Sequence, residues 1–287
     1  MAEATLHIGG YGLHLCGGDG VGLAMSLPGM KTFAVAPGSC EMEVRLDRQV
    51  ELPECRWLYE FDIADGLLHS RFGVDAEGVY YYTFGPCGVL RYREGGGVDV
   101  SAMDNPSALR FALWSSYAMM GLPLGAVPVH SSVVVAPPLF GEGMQAVMCL
   151  GESGTGKSTH TRLWLENIEG TFLLNDDSPI VRVDGDEVRV YGSPWSGKTH
   201  CYRQEHYPIA GLLRLEQRKE NTIRRLGIVE SFAALQPSCP PALAHEEHCM
   251  DLLTDFLSSV IQRVAVYRMG CLPDAAAALL SHKTLIG

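Results

Sequence analysis

The sequence predicts an α/β chain of the α+β type, with a smaller β-rich domain over residues 1–103 and a phosphate-binding domain over 104–287. Three observations predict it. Short apolar runs broken by glycine, proline and aspartate fill the N-terminal part. A G-x-x-x-x-G-K-[ST] segment then stands between an apolar run and a helical pattern. Beyond it, apolar runs of strand length alternate with helical ones to the end of the chain.

The N-terminal runs fall at 6–8, 13–16, 33–35, 42–46, 57–63, 67–72, 79–84 and 89–92. Glu41-Met42-Glu43-Val44-Arg45-Leu46 alternates strictly, which predicts a strand with one wet face. Asp75-Ala76-Glu77-Gly78 reads as a hairpin turn into Tyr80, Tyr81 and Tyr82, whose aromatic rings suit strand packing better than a ligand-stacking platform. Glu94-Gly95-Gly96-Gly97 marks a flexible turn near the domain edge. Asn105 and Pro106 open a helix as cap and first-turn residue, with Leu109, Leu113, Tyr117 and Met120 on one face.

Residues 145–150 read as a buried strand, 160–167 as a helix ending near Gly170, and 151–159 as the loop between them. Gly151, Ser153, Gly154, Thr155, Gly156, Lys157, Ser158 and Thr159 would wrap a nucleotide's phosphates. Glycine removes the Cβ that would keep the backbone from the anion, and the helix behind it offers unpaired N–H groups and a positive dipole end. Lys157 would reach the outer phosphates and the Ser158 hydroxyl would hold Mg²⁺. Upstream, 129–135 reads as a strand with His130 at its start, and Gly141-Glu142-Gly143 turns the chain back. Downstream, 171–174 is a short strand ending in Asn175-Asp176-Asp177-Ser178-Pro179. Paired aspartates there suit a metal and base role. Neighbouring strand residues face opposite ways, so both carboxylates serve one site only if the strand gives way at that point.

Residues 180–183 and 188–191 predict a hairpin that leads to Gly192-Ser193-Pro194-Trp195-Ser196-Gly197-Lys198-Thr199, formally a second match to the loop pattern. Pro194 lacks an N–H, Trp195 is bulky and no glycine lies inside, so it is the poorer cradle. Lys198 and Arg203 could instead form a basic wall for the acceptor, or the segment is a plain surface loop. A strand at 209–215, a solvated loop at 216–221, helices at 229–235, 250–264 and 274–280 and a strand at 265–269 complete the chain.

Composition narrows the function. Thirty-three acidic against 22 basic residues give a net charge of −11, which argues against nucleic-acid or anionic-membrane partners. Nine cysteines without a C-x-x-C pair read as reduced thiols, and no apolar run is long enough to span a bilayer, so a cytoplasmic protein is expected. Cys239, His245, His248 and Cys249 match no zinc-ligand spacing.

From His130 onward the residues resemble the C-terminal domain of the HPr kinase/phosphorylase family, which includes kinases of free serine and of ribosomal peptides. The likeness is carried by His130, Gly141 to Gly143, the loop from Gly151 to Ser158 and Asp176-Asp177. Residues 153–157 also resemble phosphoenolpyruvate carboxykinase, with Asn175 where that enzyme has glycine. The resemblance implies a carboxykinase-like mixed β-sheet P-loop kinase domain using ATP and Mg²⁺. Asp176 would be the base, Asp177 and Ser158 the Mg²⁺ ligands, and His130 a neighbour of the transferring phosphate, with Lys157 completing the catalytic set. The Gly-x-Pro-Trp-x-Gly-Lys stretch at 192–198 looks more like the serine and peptide kinases than HPr kinase itself. The expected reaction is phosphoryl transfer to a serine-type hydroxyl, free or in a peptide or protein. A carboxykinase-like lyase and a non-catalytic nucleotide-binding regulatory module remain alternatives, and the family leaves a homo-oligomer open.

Overall fold

The structure is a computed structural model that describes residues 2–63, 66–197 and 199–287. It divides into a first unit, Met1–Leu124 with Ala242–Met250, and a second, Gly125–Pro241 with Asp251–Gly287. The boundary read from sequence at 103/104 places the helix that follows in the second domain, whereas in the structure this helix groups with the first.

The first unit is built on β1 (Ala2–Ile8), β2 (Tyr11–Gly17), β3 (Ala34–Val35), β4 (Met42–Arg45), β5 (Arg56–Ile63), β6 (Leu68–Val74), β7 (Tyr80–Phe84), β8 (Val89–Tyr92) and β9 (Val98–Val100). Their order in the sheet is β3-β1-β2-β4-β9-β8-β7-β6-β5. The pairs β2–β4 and β4–β9 run parallel. Alternation in β4 comes out as expected: Met42 and Val44 are buried, Glu43 and Arg45 half-buried. The β6–β7 turn closes on Asp75, whose Oδ1 accepts from Glu77 N and Val79 N at 2.9 Å each. Tyr80, Tyr81 and Tyr82 are all buried, so they pack the sheet.

Helix α1 (Asp19–Ser26) was not expected, because Gly20 and Gly22 weaken its propensity. A distant group supplies its missing N-terminal acceptor: Asp47 Oδ2 takes the Gly20 N–H at 2.7 Å. Helix α2 (Pro106–Gly121) starts as predicted, with Asn105 Oδ1 accepting from Ala108 N at 3.0 Å.

The second unit contains β10 (Ala126–Pro128), β11 (Ser131–Ala136), β12 (Gln145–Leu150), α3 (Lys157–Asn167), β13 (Phe172–Asp177), β14 (Ile180–Asp184), β15 (Glu187–Tyr191), β16 (His206–Gln217), β17 (Thr222–Arg225), α4 (Ile228–Leu235), α5 (Glu247–Arg263), β18 (Val266–Cys271) and α6 (Ala275–Leu285), α5 beginning in the first unit. Its sheet runs β10-β14-β15-β16-β12-β11-β13, with β18 beside β16 and β17 beside β18. It is mixed: β12–β16 and β16–β18 are parallel, the other pairs antiparallel. Strand β17 was not predicted, since Thr-Ile-Arg-Arg lacks an apolar rhythm; backbone pairing with β18 makes it a strand.

One core orients the site. Leu163, Trp164 and Ile168 of α3 and Ala277 and Ala278 of α6 pack with Val134, Val147, Leu213 and Met269 from the sheet. Trp164 Nε1 donates to Ser281 Oγ at 2.9 Å, so even the buried indole nitrogen is satisfied. Helix α3 is thereby pinned at the C-terminal end of β12. Among the described residues, no helix is long and apolar enough to cross a membrane.

Candidate functional site

Strand β12 delivers the chain to Gly151, where φ is 153° and a Cβ would collide with Thr155 Oγ1. At Gly156, the N-cap of α3, φ is 102° and no side chain caps the helix. The first-turn N–H groups therefore lack intrahelical partners and face the loop with the positive helix end behind them. That is an anion-binding arrangement. Ser153 lies exposed in the loop, Thr155 Oγ1 donates to Glu152 O at 2.8 Å, and Thr159 sits in the first turn of α3. Lys157 Nζ donates to Gly151 O at 2.7 Å and Glu152 O at 3.2 Å, curling over the loop it belongs to. Burial lowers the Lys157 pKa, the carboxylates of Asp177 and Asp176 oppose that shift, and Arg214 adds to it.

The two aspartates come from β13, which runs on through Asp177 rather than stopping at 174. Pairing with β11 prolongs it, Ser132 opposite Asp176 and Ser131 opposite Asp177. The two carboxylates have different partners. Asp176, 7% exposed, accepts from Ser158 Oγ at 3.2 Å, while Asp177 Oδ1 lies 3.1 Å from His130 Nδ1. His130 precedes β11 with its side chain 47% exposed. A hydroxyl and a carboxylate in contact beneath the loop are hard oxygen donors of the kind Mg²⁺ takes.

The second loop-pattern match is built differently. Gly197 N donates to Asp176 O at 2.6 Å, and Ser196 bridges to Asp177. Ser193 and Trp195 are buried, and Ser193 Oγ donates to Ser178 O at 2.6 Å. Asn175 Nδ2 donates to Ser193 O at 3.2 Å while its Oδ1 accepts from Ser178 N at 3.1 Å. This segment straps the end of β13 in place, and the N–H groups of Gly192, Trp195 and Gly197 are committed to protein rather than offered to an anion. Lys198 lies outside the described residues. Arg203 is tied down: its Nε donates to Leu173 O at 2.9 Å and its guanidinium lies 4.8 Å from the Phe172 ring centroid.

Two residues beside the loop were not anticipated. Gln217 Nε2 donates to Gly154 O at 3.1 Å, and Arg214 Nη2 lies 3.6 Å from Glu152 Oε1. Both sit near the C-terminal end of β16, the parallel neighbour of β12. An arginine inside the apolar run Leu212-Leu213-Arg214-Leu215 was the visible signal, since ligands bind beyond the carboxyl ends of parallel strands in such sheets.

No protein-family model matches this chain, and no curated protein matches it. Among solved structures, the HPr(Ser) kinase/phosphatase from Coxiella burnetii is similar over 54% of this chain and 91% of its own, at 12% identity and a TM-score of 0.30. So low a TM-score carries no functional weight, and the chemistry rests on the geometry above.

Proposed function

We propose that this protein is an ATP- and Mg²⁺-dependent phosphotransferase acting on a serine-type hydroxyl, free or in a peptide or protein. One observation carries the reading: an uncapped helix behind a glycine loop, with Lys157 in its first turn and Ser158 hydrogen-bonded to Asp176, the first of the paired aspartates. In such a site the backbone amides and Lys157 hold the phosphates, and catalysis comes from positioning and charge neutralisation. Bound Mg²⁺ would supply further positive charge at the phosphate oxygens.

Ser158 and Asp177 were expected to hold the metal and Asp176 to act as base. The hydrogen bonds favour the reverse division. Ser158 already shares a hydrogen bond with Asp176, so this pair is our proposed metal-holding pair. Asp177, beside His130 and more exposed, is the better proton acceptor for an incoming hydroxyl. His130 would steady that carboxylate and carry positive charge when protonated.

The test is direct. The purified chain is incubated with Mg-ATP and serine, serine peptides or water, and products are followed by phosphorus NMR and mass spectrometry. A phosphorylated acceptor supports the reading. Lys157→Ala should abolish both ATP binding and transfer, and unchanged ATP affinity in that variant would sink the assignment.

A further inference from the structure

The strands β1, β2 and β4 present one half-exposed face on which the first unit gathers chemistry that the phosphate-loop site does not use. Leu13 and Leu15 of β2 are buried, which turns His14 and Cys16 to the opposite face. The parallel register with β4 sets His14 beside Glu43, and the antiparallel register with β1 sets Glu3 opposite Cys16. The ligating atoms of His14, Cys16 and Glu43 all lie within 4.8 Å of one another, the one such group of three among the described residues.

We propose that His14, Cys16 and Glu43 form a binding site for a zinc-class divalent cation. One imidazole, one thiolate and one carboxylate make a mixed N, S, O donor set that suits Zn²⁺ and disfavours Mg²⁺ or Ca²⁺. Metal–ligand bonds of about 2.0–2.3 Å put tetrahedral donors roughly 3.3–3.8 Å apart, so side-chain rotation of about an ångström closes the set. The surroundings are already arranged for it. His14 Nδ1 lies 3.6 Å from Glu43 Oε2, and its Nε2 lies 3.8 Å from Glu3 Oε2. With Nδ1 on the metal, Nε2 faces Glu3 at 3.8 Å, so the same small side-chain rotation would bring Glu3 into the carboxylate–histidine–metal relay that fixes the ring. Arg45 Nη1 donates to the other Glu43 oxygen at 2.7 Å, and Arg45 Nε is anchored to Asp99 Oδ1 at 2.6 Å, leaving Glu43 Oε2 free to turn to the site.

Three protein ligands leave a fourth position open. His14 and Glu43 themselves line a depression of about 380 Å³ together with Glu3, Thr5, Pro37, Gly38 and Cys40, which gives water or an incoming donor access to these ligands. A three-ligand centre with an accessible fourth position is the open kind of zinc site rather than the closed structural kind.

The test uses the full chain, reduced and freed of metal with a chelator, then titrated with Co²⁺ and back-titrated with Zn²⁺. We expect one equivalent of Co²⁺ to give a thiolate-to-cobalt band in the near ultraviolet with tetrahedral bands in the visible, both removed by Zn²⁺. Cys16→Ser should abolish the near-ultraviolet band. Glu43→Gln and Glu3→Gln should each weaken Co²⁺ binding by about tenfold or more with the circular dichroism unchanged, the outer carboxylate included because it orients the histidine. Oxygen ligation at the phosphate-loop site produces no thiolate band, so the two sites cannot be confused. A band that survives Cys16→Ser, or no band at all in the folded wild-type chain, overturns the proposal.

Discussion

Replacing Gly197 with alanine probes how the two aspartates are held. Its φ lies outside the left-handed region, so alanine fits the backbone and only the added methyl matters. That Cβ would stand 2.8 Å from Asp176 O and 3.3 Å from Asp177 Cβ. Ordinary contact begins near 3.4 Å, so the end of β13 must shift by about 0.6 Å relative to the strap. Overpacking of this kind costs about 1–3 kcal/mol. A misplacement of about 1 Å at a reacting centre costs about 10²-fold in rate, so a shift of roughly half that predicts a loss on the order of tenfold. Turnover is measured as ADP released with whichever acceptor the phosphorus NMR assay yields, ATP affinity by calorimetry and stability by thermal unfolding. We expect slower turnover, a lower melting temperature and nearly unchanged ATP affinity, because Gly197 bonds to Asp176 and its added methyl would press on Asp176 and Asp177. Wild-type turnover and stability would refute the strap. Lost ATP affinity would refute it differently, by showing that 192–199 is itself a nucleotide loop.

The metal and base roles separate in one experiment. Ser158→Ala and Asp176→Asn should each raise the Mg²⁺ concentration needed for half-maximal turnover, whereas Asp177→Asn should leave it alone and cut kcat by about 10²–10⁴-fold; a raised Mg²⁺ requirement in Asp177→Asn would restore the opposite assignment. Trp164→Ala should destabilise the second unit by about 3–5 kcal/mol, read by denaturant unfolding, because the indole is fully buried and its N–H is bonded to Ser281. Burial lowers the His160 pKa to about 4 from its usual 6.5. The folded state therefore binds fewer protons than the unfolded state between those values. Stability associated with neutral His160 is present above about 6.5 and is lost as pH falls toward about 4, a span worth about 3 kcal/mol. His160→Gln should flatten the decline of melting temperature across this interval relative to the parent; an identical slope would show that other groups cause it.

The composition and local pattern were enough for the local backbone. Gly151, Gly154 and Gly156 mark a loop that bends where only glycine bends, and apolar runs on either side define the strand and the helix it joins. Asn105 at a helix start and Asp75 in a hairpin turn are likewise short-range hydrogen bonds, readable because both partners lie within a few residues. Non-local pairing was not readable. Helix α1 depends on Asp47 to receive a first-turn N–H, β17 depends on β18 for its backbone partners, and β13 reaches Asp177 because β11 lies beside it. Which aspartate meets Ser158 and which meets His130 follows from strand direction and face. The same holds for His14, Cys16 and Glu43. Each is an unremarkable polar position in an alternating strand, and only the parallel register of β2 with β4 brings the three together. Residue type and spacing determine what a short segment can do; the register of distant strands decides which segments do it together, because that register is set by burying the other face of the sheet.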